Sequence, residues 1–170
     1  MNAGWMERPA AGLSALGWAA LALLAPLPGA AQDSTAPARA CTAPADMTPA
    51  ALYGLWQVTL WAQDAGDSTP ASTGALVFER HPEYPGSVRG KLQRPTLGGD
   101  LHALVSGDVT DGAFHLDESA DGVAMDAVWE GDVSPAGCGL EIRGIRRPAE
   151  GRPAGEAVLN FLLKKAPGWR

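Results

Sequence analysis

The sequence predicts an all-β domain, an eight-stranded antiparallel up-and-down β-barrel with a short N-terminal helical turn. Three features predict it. Short runs that alternate apolar and polar residues recur from Leu55 to Lys164, the period-two signature of half-buried strands. Turn residues punctuate these runs at the regular spacing of an all-β domain, among them the hairpin pairs Asp111-Gly112 and Asp121-Gly122. No helical crossover separates the runs, so neighbouring strands are expected to be antiparallel. An eight-stranded meander can close on itself and remove its edges. A two-sheet sandwich is the alternative that the same pattern allows.

The first element is an export segment. Residues 13 to 27 are apolar and uncharged, broken by Pro26 and Pro28, and followed by Gly29-Ala30-Ala31. That order of apolar core, breaker and small residues reads as a secretory signal peptide over residues 1–31, with cleavage near Ala31. The stretch is too short and too proline-broken for a stable membrane anchor. A periplasmic or secreted location follows as the expectation. Residues 32–48 are rich in Ala, Pro, Ser and Thr and read as a flexible segment. The barrel domain is expected over residues 49–170.

Thr48-Pro49 reads as a helix start, with the hydroxyl as cap and proline at the first helical position. Ala50 to Tyr53 complete one turn before Gly54 ends it. The strands are then read at 55–61, 75–80, 87–94, 101–109, 113–118, 123–132, 138–145 and 157–164. In the first, Trp56, Val58 and Leu60 alternate with Gln57 and Thr59. In the third, Val88, Gly90 and Leu92 share one face, and Arg89, Lys91 and Gln93 the other. Val123, Met125, Ala127 and Trp129 share a face of the sixth, and Leu159, Phe161 and Leu163 a face of the last. The segment from His81 to Gly86 must be a turn, because its two prolines cannot sit in a central strand.

The formal net charge is −6. An acidic surface has the wrong sign for a nucleic-acid footprint or an anionic membrane partner. Cys41 and Cys138 are the two cysteines, and in an oxidising compartment they are expected to form one disulfide. Two free thiols are the alternative, since sequence does not show their separation. Cys41 is not read as a lipid-accepting cysteine, because Gln32, Asp33 and Arg39 lie between it and the apolar core.

An export signal, a short helical turn and Gly54-Leu55-Trp56 opening the first of eight meander strands together resemble the calycin group, the lipocalins and avidins. In lipocalins the matching tryptophan closes the barrel floor and a late-strand basic residue packs on it. The resemblance implies that role for Trp56, with Arg143 and Lys164 both candidates for the partner. The inward faces lack the dense Ser, Thr, Asn and Asp set that a polar vitamin needs, so biotin is not expected. Small periplasmic metalloprotease inhibitors share this barrel and use an N-terminal tail, and that resemblance implies an inhibitor role for the Ala/Pro-rich segment as an alternative.

No catalytic residue, metal ligand or cofactor is expected. Asp117-Glu118-Ser119-Ala120-Asp121-Gly122 matches the start of a calcium loop, but its twelfth position is Val128, which offers no side-chain oxygen. His81, His102 and His115 have no close ligand spacing. Asp126 and Glu130 share a face read as facing water, and no Gly-x-Ser-x-Gly elbow occurs. The constellation of interest is the inward apolar set: Trp56, Leu76, Phe78, Leu92, Leu104 or Val105, Phe114, Leu116, Met125, Trp129, Leu140, Ile142 and Phe161.

An aromatic-walled barrel suits a small apolar ligand. The residues expected to line that site are Trp56, Phe78, Phe114, Met125, Trp129 and Phe161, under a lid formed by residues 63–73. The alternative is a barrel packed solid by these same side chains, with loops such as the one carrying Tyr84, or the tail, engaging an envelope protein. Both are non-enzymatic roles.

Overall fold

The computed structural model describes residues 41–65, 69–152 and 156–168. The expected signal peptide, its cleavage site and the tail as far as residue 40 lie outside the described residues. Eight strands run in order: β1 (Gly54–Ala62), β2 (Ser72–Arg80), β3 (Val88–Thr96), β4 (Gly99–Thr110), β5 (Ala113–Ser119), β6 (Ala127–Val133), β7 (Glu141–Pro148) and β8 (Leu159–Lys165). Each pairs antiparallel with its sequence neighbours, and β8 returns to β1, so the sheet is a closed barrel. The closing register runs from Trp56 opposite Lys165 to Ala62 opposite Leu159. A single closed ring excludes the sandwich.

The alternation read from sequence decides inside from outside. Trp56, Val58 and Leu60 of β1 point inward, as do Leu76 and Phe78, Val88 and Leu92, Ala103 and Val105, Phe114 and Leu116, Trp129, Ile142, and Phe161 with Leu163. Of the pair left open on β4, Val105 is the core residue and Leu104 is exposed. The outer wall carries Arg89, Lys91, Glu130, Arg143 and Lys164. Charges outside and apolar residues inside is the polarity of a barrel facing water, the reverse of a lipid-spanning one. Glycines on the inner face make room for rings: a Cβ on Gly131 would lie 2.8 Å from the Phe161 ring.

One end of the barrel is closed. A one-turn helix, α1 (Pro49–Leu52), lies across it, and Met47 and Leu52 are buried there. The indole Nε1 of Trp56 donates to the Leu52 carbonyl at 2.7 Å. Lys165 Nζ sits 5.5 Å from the Trp56 ring centre and donates to the Ala51 carbonyl. A cation over an indole face is attracted by the ring quadrupole, so Lys165 fixes both the tryptophan and the helix. The basic residue on Trp56 is thus neither Arg143 nor Lys164. Lys165 continues the inward series Leu159, Phe161, Leu163, whereas Lys164 and Arg143 fall on outward positions.

The disulfide forms between Cys41 and Cys138, with Cα atoms 4.5 Å apart. It ties the entering chain to the β6–β7 connection, so the segment expected to be flexible through residue 48 is built into the fold from Cys41 onward. Pro44–Asp46 form a 3₁₀ turn, and Met47 is buried next to α1. Thr48 precedes Pro49 as expected, but its hydroxyl makes no capping bond.

Three strand starts lie three or more residues from the reading above, and β2 begins at Ser72 rather than Ala75. β6 begins at Ala127, not Val123. The Asp121 carboxylate accepts the N–H groups of Val123 and Ala124, and Asp126 accepts that of Ala120. Such local side-chain bonds compete with ladder pairing. Met125 is consequently 46 % exposed in a loop and does not line the interior. β7 begins at Glu141 rather than Cys138, because Cys138 (φ 52°) and Gly139 (φ 75°) take left-handed backbone that no strand continues through. Leu140 is therefore exposed.

The link between Cys41 and Cys138 spans 97 residues. The double variant Cys41→Ser/Cys138→Ser is expected to lose about 2–5 kcal/mol of stability in urea denaturation while retaining the barrel's far-UV spectrum. Trp56→Ala removes the floor indole from a fully buried site, and a loss of about 3–5 kcal/mol is expected in the same measurement.

Candidate functional site

The open end carries the connections β1–β2, β3–β4, β5–β6 and β7–β8. The lid expected over residues 63–73 falls here. Residues 66–68 lie outside the described set, and Ser72 and Thr73 already belong to β2. Ser72 Oγ donates to the Pro95 carbonyl at 2.7 Å, joining β2 to β3 at the rim.

Between floor and mouth the aromatic residues form a continuous chain. Ring centres are 6.2 Å apart for Phe78–Phe114, 6.2 Å for Phe114–Phe161 and 5.0 Å for Trp129–Phe161. Edge and tilted contacts at these separations are the favoured aromatic geometry. The rings occupy the middle of the barrel against one another, with Trp56 beneath them at the floor. Of the six residues expected to line a site, five are inward and buried, and Met125 is not.

Above the rings the interior becomes charged. Glu118 of β5 and Arg146 of β7 are 1 % and 2 % exposed. Arg146 Nε and Nη2 donate to the two oxygens of Glu118 at 2.9 and 3.0 Å, a two-pronged pair. Trp129 Nε1 donates to the same carboxylate at 2.8 Å, which links the charged layer to the aromatic one. Arg146 Nη1 donates outward to Glu156, at 2.8 Å, ahead of β8. Burial alone lowers the pKa of Arg146, but its bonds to Glu118 and Glu156 and their charges outweigh burial and leave it raised.

Arg94, near the end of β3, is 8 % exposed and points into the same layer. Its Nε is buried without a hydrogen-bond partner. Burial first, and then the neighbouring Arg146 charge, lower its pKa, and Glu118 and Glu156 pull it back only in part. Gly74 on β2 permits this placement, since a Cβ there would come within 2.7 Å of the Arg94 Cβ. A cavity of about 330 Å³ opens at this point, lined by Arg94, Arg146 and Glu156 and, toward the rim, by Pro95, Leu97 and Leu159.

Several other polar features resolve into local structure. Asp121, whose pKa is lowered by the N–H groups of Val123 and Ala124 and by Ser119, orders the β5–β6 loop through bonds to its own neighbours. His81 Nδ1 accepts from the N–H groups of Glu83 and Tyr84, and its ring lies 4.8 Å from that of Tyr84, so this aromatic braces its own turn. Glu130 pairs with Arg147 on the outer wall and Asp126 with Arg152 in the loops. Among the described residues no group of three His, Cys, Asp or Glu is placed to hold a metal.

No protein-family model matches the chain, and no curated relative does. Solved structures similar to it are small β-barrels. EF1p2_mFAP2b bound to DFHBI is 18 % identical, with a TM-score of 0.46, and the match covers 69 % of this chain and 95 % of that one. A de novo designed fluorescence-activating β-barrel is 18 % identical over 71 % of this chain and 100 % of its own, with a TM-score of 0.43. The redesigned barrel mFAP0 bound to DFHBI is 20 % identical over 68 % and 99 %, with a TM-score of 0.40.

Sequence reasoning missed the charged layer, although its signal is present. Arg94, Glu118 and Arg146 each follow the last inward apolar or glycine position of their strand by two residues: Leu92, Leu116 and Gly144. Removing one partner of a buried pair strands the other charge in low dielectric. Glu118→Leu is expected to cost about 3–5 kcal/mol in urea denaturation, and Glu118→Leu/Arg146→Met to recover most of that loss.

Proposed function

We propose that this protein is an exported, non-enzymatic binding barrel of the lipocalin type that holds a small molecule with an apolar body. One observation carries the reading. The barrel is closed at the α1 end by Trp56 and Lys165, and at the other end the cavity over Arg94 and Arg146 is lined at its rim by Pro95, Leu97 and Leu159. A concave, mostly apolar site with a few convergent polar groups is the usual form of a small-molecule pocket. The aromatic chain of Phe78, Phe114, Phe161 and Trp129 supports the site from beneath, so the ligand's place is the mouth rather than the middle of the barrel. The indole and cation at the floor support the lipocalin resemblance. The apolar segment ahead of residue 31 and the Cys41–Cys138 disulfide support export to an oxidising compartment.

A second reading is favoured by one feature of the outer wall. Val77 and Leu104 are exposed beside a groove across β2, β3 and β4, which suits an envelope protein partner.

Native mass spectrometry of the protein purified mildly from its own cell envelope separates the two. A discrete extra mass that leaves on denaturation is expected. Leu159→Trp, which narrows the mouth, is expected to reduce that loading about tenfold or more with little change in thermal midpoint. A bare wild-type mass would contradict the ligand reading and favour the outer wall.

A further inference from the structure

Resting on the binding reading above, we infer that the mouth selects a small organic monoanion, with its carboxylate inward on Arg94 and its apolar body toward Leu97 and Leu159. The argument starts from charge. The buried groups of the layer are Arg94, Arg146 and Glu118, which leaves one positive charge in excess. Glu156 also lines the cavity and accepts from Arg146 Nη1, so it balances that charge at the rim, and the excess is confined to the buried part of the layer, where Arg94 lies.

The hydrogen bonds point the same way. Glu118 accepts two bonds from Arg146 and one from Trp129. Arg146 directs Nε and Nη2 to Glu118 and Nη1 to Glu156. Arg94 Nε is buried with no hydrogen-bond partner among the described residues, and the Arg94 side chain lines the cavity. A guanidinium has five donors in a planar fork and no acceptor, and a buried donor left unpaired is costly. A carboxylate supplies two acceptor oxygens to that fork and a negative charge beside the buried Arg94. Leu97 and Leu159 then meet what projects outward from the head group.

The inference separates from the general binding reading in a single experiment. Octanoate and octan-1-ol share an apolar chain and differ in the head group, and octanoate has about ten non-hydrogen atoms, near the capacity of this cavity. Both are titrated by calorimetry into the wild-type protein and into Arg94→Gln, with thermal midpoints recorded to show that each protein is folded. Octanoate is expected to bind wild type about tenfold or more tightly than octan-1-ol. That preference should vanish in Arg94→Gln, while octan-1-ol binds both proteins alike. Equal binding of the two to wild type, or a preference that survives in Arg94→Gln, overturns the anion inference and leaves the binding reading standing. Binding of neither compound to wild type overturns both. If Arg94→Gln does not fold, Arg94→Lys keeps the charge without the fork. It is expected to weaken octanoate alone, and unchanged octanoate binding in it overturns the role given to the guanidinium.

Discussion

Every inward side chain of this protein shares one narrow space. Eight antiparallel strands closed into a ring leave an interior only wide enough for packed side chains or one small ligand. The barrel divides that space by height. The indole of Trp56 and the lysine over its face seal the floor, aromatic rings fill the middle against inward glycines, and charged groups occupy the top. The alternation of the strands sets which residues enter, and the closure of β8 on β1 sets how many can.

The layers are connected rather than merely stacked. Trp129 belongs to two of them, since its ring packs on Phe161 while its N–H bonds to Glu118. The buried pair of Glu118 and Arg146 adds little net stability by itself, because desolvation offsets much of the attraction between the two charges. Its consequence is positional. It holds a guanidinium and a carboxylate in fixed orientation beneath the mouth, and it leaves the Arg94 Nε without a partner among the described residues.

Most of the fold was legible from period-two alternation and turn residues, because each strand buries one face and a shift by one residue would expose it. The reading failed where side chains bond their own backbone. Asp121 and Asp126 hold residues 120–126 out of β6, and the left-handed Cys138 delays β7. Met125 was lost from the interior for the first of these reasons. The charged layer was missed because a reading guided by hydrophobicity stops at the last apolar residue of a face. Followed by position alone, the same alternation leads from Leu92 to Arg94, from Leu116 to Glu118, from Gly144 to Arg146 and from Leu163 to Lys165. What alternation cannot reach is the pairing across strands that ties Glu118 to Arg146 and leaves Arg94 Nε unpaired among the described residues, since that depends on the ring being closed.

A barrel sealed at one end, with a buried arginine whose Nε lacks a partner among the described residues beneath the other, is most directly tested by a crystal structure of the protein isolated from its own source. The account predicts density for a small molecule in the mouth, with an oxygen about 3 Å from the Arg94 guanidinium. A mouth holding only water, with Arg94 turned onto Glu118 or Glu156, would contradict it.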